Sequence, residues 1–389
     1  MQLEAEIISS AVTLPMKIEM EFVTAEKPVV VVTGSAGFIG AKFVTAAAPH
    51  YRVVGLDINP PASEVGGTEW IACDFTQEES VSQALGEVRG KYGSHLASVI
   101  HLAAHYDFSS APNPLYRELT IEGTQRLLRG LQQFQVEQFV FSSTLLVMKP
   151  VAGEDETITE RSPVETIAEA EDYPRSSLEA EAAIRLEHHA IPVVILRIAG
   201  VYDEAGHSLP IAQQISRIYE EKLESYFFPG ESEHGQAFVH LDDLVDCFLR
   251  VIELRSDLGP YEIFLIAEPD VMSYAELQEQ VGALLHGSEW PTIRIPKVVA
   301  KAGAWAQEKL LGQETSINPR MVDLADTHYP VESERARRRL GWKPQHSLRD
   351  TLSKITGSLI ENPEHWYEVN GLTKSENEKN AKAEGQRRK

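Results

Sequence analysis

The stretch Val29-Val30-Val31-Val32-Thr33-Gly34-Ser35-Ala36-Gly37-Phe38-Ile39-Gly40 decides the fold. Four valines and a threonine suit a strand buried on both faces, because β-branched side chains pack well on a pleated surface. Glycines at 34, 37 and 40 follow at once. The first supplies a backbone free to take φ > 0. The second lets a pyrophosphate approach the main chain, and the third lets helix and strand pack closely. The helix that opens here offers unpaired N–H groups and about half a positive charge to phosphates. Glycine triplets alone are weak evidence, but strand, loop and helix in this order form the context such a loop requires.

Working outward, short β-branched runs alternate with helical patterns. Strands are expected at Val29–Thr33, Tyr51–Asp57, Glu69–Cys73, Ser98–Leu102, Gln138–Ser143 and Ile191–Ile198. Apolar strands separated by helices predict a parallel sheet covered on both faces, the doubly wound α/β pattern of a Rossmann domain. After about residue 200 the alternation breaks down, and a smaller C-terminal substrate lobe is expected. The predicted organisation is an N-terminal extension over 1–26 and a dinucleotide-binding domain over 27–205. A mostly substrate-binding lobe follows over 206–372, with a return to the sheet near 262–266, and then a disordered charged tail over 373–389.

The 389 residues carry 36 Lys+Arg against 58 Asp+Glu, a formal charge of −22. This acidity argues against a nucleic-acid binder and against anionic membrane attraction, since both need basic surface. Cys73 and Cys247 read as small core residues, without a disulfide framework or metal-ligand spacing, so no metal is expected. No apolar run is long enough for a membrane span, and no signal peptide is seen. A reducing, cytoplasmic setting is expected.

Asp57 ends the second strand, 17 residues after Gly40. A carboxylate there hydrogen-bonds the adenosine ribose 2′-hydroxyl of NAD and repels a 2′-phosphate, so NAD is expected rather than NADP. Asp74, after the third strand, has two readings: a contact to the adenine amine, or a helix N-cap.

The loop TGSAGFIG, Asp57, Cys73-Asp74-Phe75-Thr76 and His101-Leu102-Ala103-Ala104 together resemble an extended short-chain dehydrogenase/reductase, most closely the NAD-dependent epimerase/dehydratase family, which acts mostly on nucleotide sugars. Further matching segments follow in order: Phe139 to Thr144, Leu196-Arg197, Phe238-Val239-His240-Leu241-Asp242-Asp243-Leu244, and Leu340-Gly341-Trp342-Lys343-Pro344. The resemblance covers about residues 28–355. It implies cofactor contacts from Gly34, Gly37, Phe38, Ile39, Gly40, Asp57, Asp74, Phe75, Leu102, Ala103, Ala104 and Tyr173.

It also implies a Ser or Thr after the fifth strand, and Tyr-x-x-x-Lys on the next helix. The tyrosine moves the substrate hydroxyl proton while hydride passes to or from nicotinamide. The lysine lowers the tyrosine pKa, and the Ser or Thr orients the substrate oxygen. Thr144 and Tyr173 match the first two positions, but Ser177 stands where the lysine belongs. An unperturbed tyrosine has a pKa near 10, so about one in a thousand is phenolate at pH 7. A neighbouring cation would favour the charged form, and serine supplies none. Arg175 points away from Tyr173 on a helix unless the helix starts late, which Pro174 permits. Tyr173 is therefore read either as catalytic or as a packing and ribose-contact residue. Two further departures are Thr120 and Gly200, where the family often places Asn.

His105 is a candidate to face substrate. Arg320 lies near the position where relatives clamp a nucleotide diphosphate, a task a guanidinium suits. Arg335, Arg337, Arg338 and Arg339 read as a solvated helix face. His101 could be a base, but the His101-Leu102-Ala103-Ala104 pattern of the family implies backbone contact with the cofactor, so a structural role is favoured, and His240 reads as packing between lobes. Asp242 is expected to N-cap a helix over Asp243–Arg250. The chain is expected to act as an NAD-dependent oxidoreductase on a small-molecule substrate, which the resemblance implies is a nucleotide sugar. Alternatives are a noncatalytic NAD-binding sensor or scaffold, motivated by Ser177, and a reductase of a nonsugar carbonyl compound. A homodimer built from residues 113–134 and 174–190 is a further expectation.

Overall fold

In a computed structural model, the structure describes residues 27–106, 112–153, 156–300 and 327–373. The N-terminal extension, Arg320 and the tail from 374 lie outside the described residues.

Seven strands form one parallel sheet: β1 (Val29–Thr33), β2 (Arg52–Asp57), β3 (Thr68–Ala72), β4 (Ser98–His101), β5 (Phe139–Thr144), β6 (Val193–Ile198) and β7 (Tyr261–Ile266). Their spatial order is β7-β6-β5-β4-β1-β2-β3. Every neighbouring pair is parallel. The order reverses between β1 and β4, the switch point at which open sheets leave a crevice beyond their C-terminal ends. Val30, Val31 and Val32 are fully buried, and burying each such side chain contributes about 1.5–3 kcal/mol.

Helices α1 (Phe38–Ala47), α2 (Glu78–Tyr92), α3 (Glu122–Leu131) and α4 (Asp172–Glu187) connect the strands. α3 is preceded by a π-helical turn over Tyr116–Ile121. On one sheet face Phe43 of α1 packs edge-on against Phe248 of α6 (Leu241–Glu253). On the other, Val81, Leu127 and Ile184 from α2, α3 and α4 cover Val31, Val54 and Ile195. α8 (Glu334–Leu340) packs Ala336 and Leu340 into the same core as Phe43 and Phe248, whereas a separate core builds the smaller C-terminal lobe from α5 (Leu209–Tyr219), α7 (Tyr274–His286), α9 (Leu348–Glu361) and α10 (Pro363–Val369), with Ile215, Val281, Leu352 and Trp366 inside it. Among the described residues, no helix is long and apolar enough to cross a membrane.

The two lobes are stitched by side chains from distant segments. Trp342 is fully buried and donates its indole N–H to the Asp243 carbonyl at 2.8 Å. The Asp243 carboxylate accepts the N–H groups of Gln345 and His346, each at 2.9 Å. α6 begins at Leu241 with His240 as its cap, whose Nδ1 accepts the Asp242 N–H at 3.2 Å. The expectation that Asp242 caps a helix over Asp243–Arg250 is therefore corrected. The imidazole nitrogen serves as acceptor, and the Asp242 carboxylate pairs instead with Lys42 at 2.7 Å.

Candidate active site

Gly34 leaves β1 at φ +68°, and its N–H donates to the Leu56 carbonyl at 2.9 Å. A Cβ there would lie 2.9 Å from the Ala103 nitrogen, and one on Gly40 would lie 2.1 Å from the Gly34 oxygen. The main chain is thus packed to the limit where β1, α1 and the segment after β4 converge. Gly37 is the N-cap of α1, and no side chain caps it, so the first N–H groups stay directed to the crevice. Phe38 opens the helix with its ring 4.5 Å from His207, while Ile39 packs on the core. The residues present fit a dinucleotide pyrophosphate: a glycine cradle that any side chain would fill, at an uncapped helix start.

Asp57 is held beside this loop. Its Oδ2 accepts the Ala36 N–H at 2.9 Å and its Oδ1 the Asn59 N–H at 3.0 Å. Asp74 closes a local turn, its Oδ1 accepting from the Thr76 N–H at 2.9 Å and the Thr76 hydroxyl at 2.7 Å. Of its two readings the cap does not apply, because α2 starts at Glu78 after Gln77. Phe75 is buried under α3.

His101 is buried and holds the loop from below. Its Nε2 lies 2.9 Å from the Thr124 hydroxyl, which donates to the Thr120 carbonyl at 2.6 Å. Nε2 must therefore be the donor there, leaving Nδ1 to accept from Thr33 Oγ1 at 2.7 Å. That same oxygen accepts the N–H groups of Leu102 and Ala103 at 3.2 and 3.1 Å. Burial pushes the His101 pKa down to about 3, so the ring stays neutral. Its role is to shape the Leu102-Ala103-Ala104 backbone against Gly34.

Thr144 and Tyr173 meet at the C-terminal end of β5. The Thr144 side chain beside the phenol favours the phenolate, but burial outweighs this and pushes the Tyr173 pKa up to about 12. Thr144 also accepts the Leu146 N–H at 3.2 Å. α4 starts at Asp172, so the helix does not start late. Arg175 pairs with Asp172 on the outer face. Ser177 is buried one turn after Tyr173 and donates to its carbonyl at 3.4 Å. No cation takes the place of the missing lysine among the groups that shift Tyr173.

Of three neighbours, Tyr106 and Tyr116 carry no sequence signal of their own. The Tyr106 ring meets Tyr173 edge-on at 5.0 Å. Tyr116 meets His105 in the same manner at 4.7 Å. One further turn along α4, Glu181 forms a buried two-point pair with Arg197, at 2.7 and 3.1 Å, and accepts the Ser143 hydroxyl at 2.6 Å. The spacing Tyr173, Ser177, Glu181 was the available signal, since residues four apart share a helix face. His105 donates its backbone N–H to Thr120 Oγ1 at 2.9 Å, while its Nε2 is buried with no hydrogen-bond partner among the described residues. At Gly200 a Cβ would lie 2.7 Å from the Phe238 ring, so an aromatic edge fills the space a larger residue would need.

The fold and this loop define a dinucleotide-binding scaffold of the extended short-chain dehydrogenase/reductase type. The model of the NAD dependent epimerase/dehydratase family matches residues 30–267, more than half of the chain, and the chain belongs to that family. It is 26% identical over 353 residues to human short-chain dehydrogenase/reductase family 42E member 1, covering 82% of this chain and 85% of that protein. Human 3 beta-hydroxysteroid dehydrogenase type 7 is 25% identical over 372 residues, with 85% and 95% covered. Among solved structures, UDP-glucuronic acid 4-epimerase from Bacillus cereus, in complex with UDP-glucuronic acid and NAD, superposes with a TM-score of 0.63 at 19% identity, covering 86% of this chain and 99% of that one. The family is NAD-dependent, in agreement with the acid at position 57.

Proposed function

We propose that this chain is an NAD-dependent oxidoreductase acting on a hydroxyl or carbonyl group of a small molecule, with a nucleotide sugar as the leading substrate class. The observation that carries the reading is that the Thr144 and Tyr173 side chains come together at the C-terminal end of β5, beside the glycine loop. NAD supplies the hydride acceptor or, reduced, the donor. Thr144 orients the substrate oxygen. Tyr173 moves the proton at that oxygen.

The raised Tyr173 pKa sets which protonation state the site offers at neutral pH. A phenol with a pKa of about 12 is almost wholly protonated at neutral pH. It can donate a proton to a carbonyl oxygen as hydride arrives, but it is a poor base for oxidising an alcohol. Carbonyl reduction is therefore the favoured half-reaction near pH 7, and alcohol oxidation should climb with pH. His105, whose Nε2 is buried without a hydrogen-bond partner among the described residues, is the candidate polar contact to substrate.

A second reading, a nonsugar carbonyl substrate, is favoured by the Phe238 edge at Gly200 and the Tyr106 ring over Tyr173. Apolar walls suit an apolar substrate better than a polyhydroxylated one. Competition with free uridine and thymidine diphosphates separates the two, since a nonsugar enzyme should bind neither. Replacing Tyr173 with Phe tests the core assignment: NAD affinity should stay while turnover disappears, and unchanged turnover removes Tyr173 from the chemistry. The helices over Tyr116–Leu131 and Asp172–Glu187 pack side by side, and Leu186 is 80% exposed, which supports a homodimer through this face. Sedimentation velocity would report it.

A further inference from the structure

Away from the NAD crevice, two histidines far apart in the chain lie face to face at the seam between the lobes. His240 is 1% exposed, and its Nδ1 is committed to the Asp242 N–H. Its Nε2 is buried with no hydrogen-bond partner among the described residues, and the nearest carboxylate oxygen, Oε2 of Glu204, is 3.5 Å away. The His346 ring stacks on it, centroids 4.0 Å apart and planes 16° from parallel. His346 Nδ1 is likewise buried without a hydrogen-bond partner, although an Asp243 oxygen is 3.1 Å away. One nitrogen of each histidine and one carboxylate oxygen of Asp242 lie within 4.8 Å of one another.

A buried nitrogen without a partner keeps the full cost of leaving water. Two of them at one spot, beside carboxylates on separate segments, form the donor set of a borderline divalent cation. We propose that His240, His346 and Asp242 bind one zinc-class ion, with Glu204 as the fourth ligand. Two imidazole nitrogens and carboxylate oxygens in a tetrahedral set suit zinc, while calcium and magnesium prefer oxygen alone.

The geometry says how the site closes. Parallel stacked rings share no in-plane point, so one ring must turn for both lone pairs to meet an ion. His240 is fixed by its bond to Asp242 and by burial. The His346 side chain, 33% exposed, is the one that turns. Charge favours the ion. Asp203, Glu204, Asp242 and Asp243 oppose only Lys42 and Lys354 in the local ion pairs, four negative against two positive with the imidazoles neutral. Lys42 engages Asp242 through Oδ1, which leaves Oδ2 for a metal. Asp243 is already spent on the Gln345 and His346 N–H groups and stays outside the set. An ion here would clamp the segment before α9 onto α6 and onto Lys42 of α1, the helix whose start forms the phosphate loop.

The test uses the full chain, stripped with chelator, given zinc chloride and desalted. Metal content, competition with a chromophoric chelator and thermal melting are then read. The expected result is one zinc per chain and a raised melting temperature. His346→Ala and Asp242→Asn should each weaken binding at least tenfold while melting like the wild type without zinc. His365→Ala, at an exposed histidine elsewhere, should bind as the wild type does. A wild-type chain that retains no zinc, or a His346→Ala chain that retains as much as the wild type, overturns the proposal. Because none of these readouts depends on turnover, failure here leaves the Tyr173 assignment untouched.

Discussion

The Ser177 hydroxyl donates to the Tyr173 carbonyl at 3.4 Å, one turn along the same buried face of α4. The position that would hold a cation near the phenol is thus spent on a backbone contact. With burial opposed only by the Thr144 side chain, the Tyr173 pKa is pushed up to about 12.

Replacing Ser177 with Lys should restore the missing charge. A lysine four residues on lies on the same helix face as Tyr173, and an ammonium nearby favours the phenolate. Alcohol oxidation at pH 7 should rise at least tenfold, and the alkaline limb of kcat/KM should move down by one pH unit or more, about 1.4 kcal/mol. A pH–rate profile that matches the wild type would mean that the new ammonium does not reach the phenol.

Asp57, beside the glycine loop, is the residue proposed to read the cofactor. Asp57→Asn keeps an acceptor for the Ala36 N–H, now met at 2.9 Å, but removes the charge. The Kd for NAD should rise about tenfold, about 1.4 kcal/mol, and discrimination against NADP should fall. Fluorescence titration of both cofactors measures this, and an unchanged NAD/NADP ratio would remove Asp57 from that role.

Glu268 links the lobes and should make stability depend on pH. It is buried, accepts the Tyr202 hydroxyl at 2.8 Å and the Leu348 N–H at 3.1 Å, and burial raises its pKa from 4.5 to about 8. The folded chain then holds a proton that the unfolded chain has lost, so stability falls as pH rises from about 4.5 to about 8 and levels off above that. Glu268→Gln keeps an acceptor without the proton, and its melting temperature should vary less over this window. Equal slopes for both proteins would show that Glu268 does not titrate there.

The local parts of this account were legible in the sequence. Val29–Thr33 begins and ends where its valine run does, and Gly34, Gly37 and Gly40 converge because a strand–loop–helix turn is specified by neighbouring residues. Thr144 and Tyr173 could be matched because each sits at a fixed place on its own element. What stayed hidden depends on residues distant in the chain. The Thr33–His101–Thr124 relay, the Glu181–Arg197 pair and the stacking of His346 on His240 each join segments whose spacing carries no period. Asp242 was misread as a cap because carboxylates usually fill that position, and nothing local reveals that Lys42 claims it.

The most direct test of the central claim is a single-turnover experiment on purified protein with bound NAD confirmed. The oxidised form is mixed with a panel of nucleotide sugars and hydroxysteroids, and the reduced form with matching carbonyl compounds. Nicotinamide absorbance and product identity are followed from pH 6 to pH 10. The account predicts hydride transfer with at least one substrate class, carbonyl reduction readily at neutral pH, oxidation rising with pH, and loss of both in Tyr173→Phe. Firmly bound cofactor with no transfer in either direction at any pH would contradict it and leave a chain that binds NAD without turning it over.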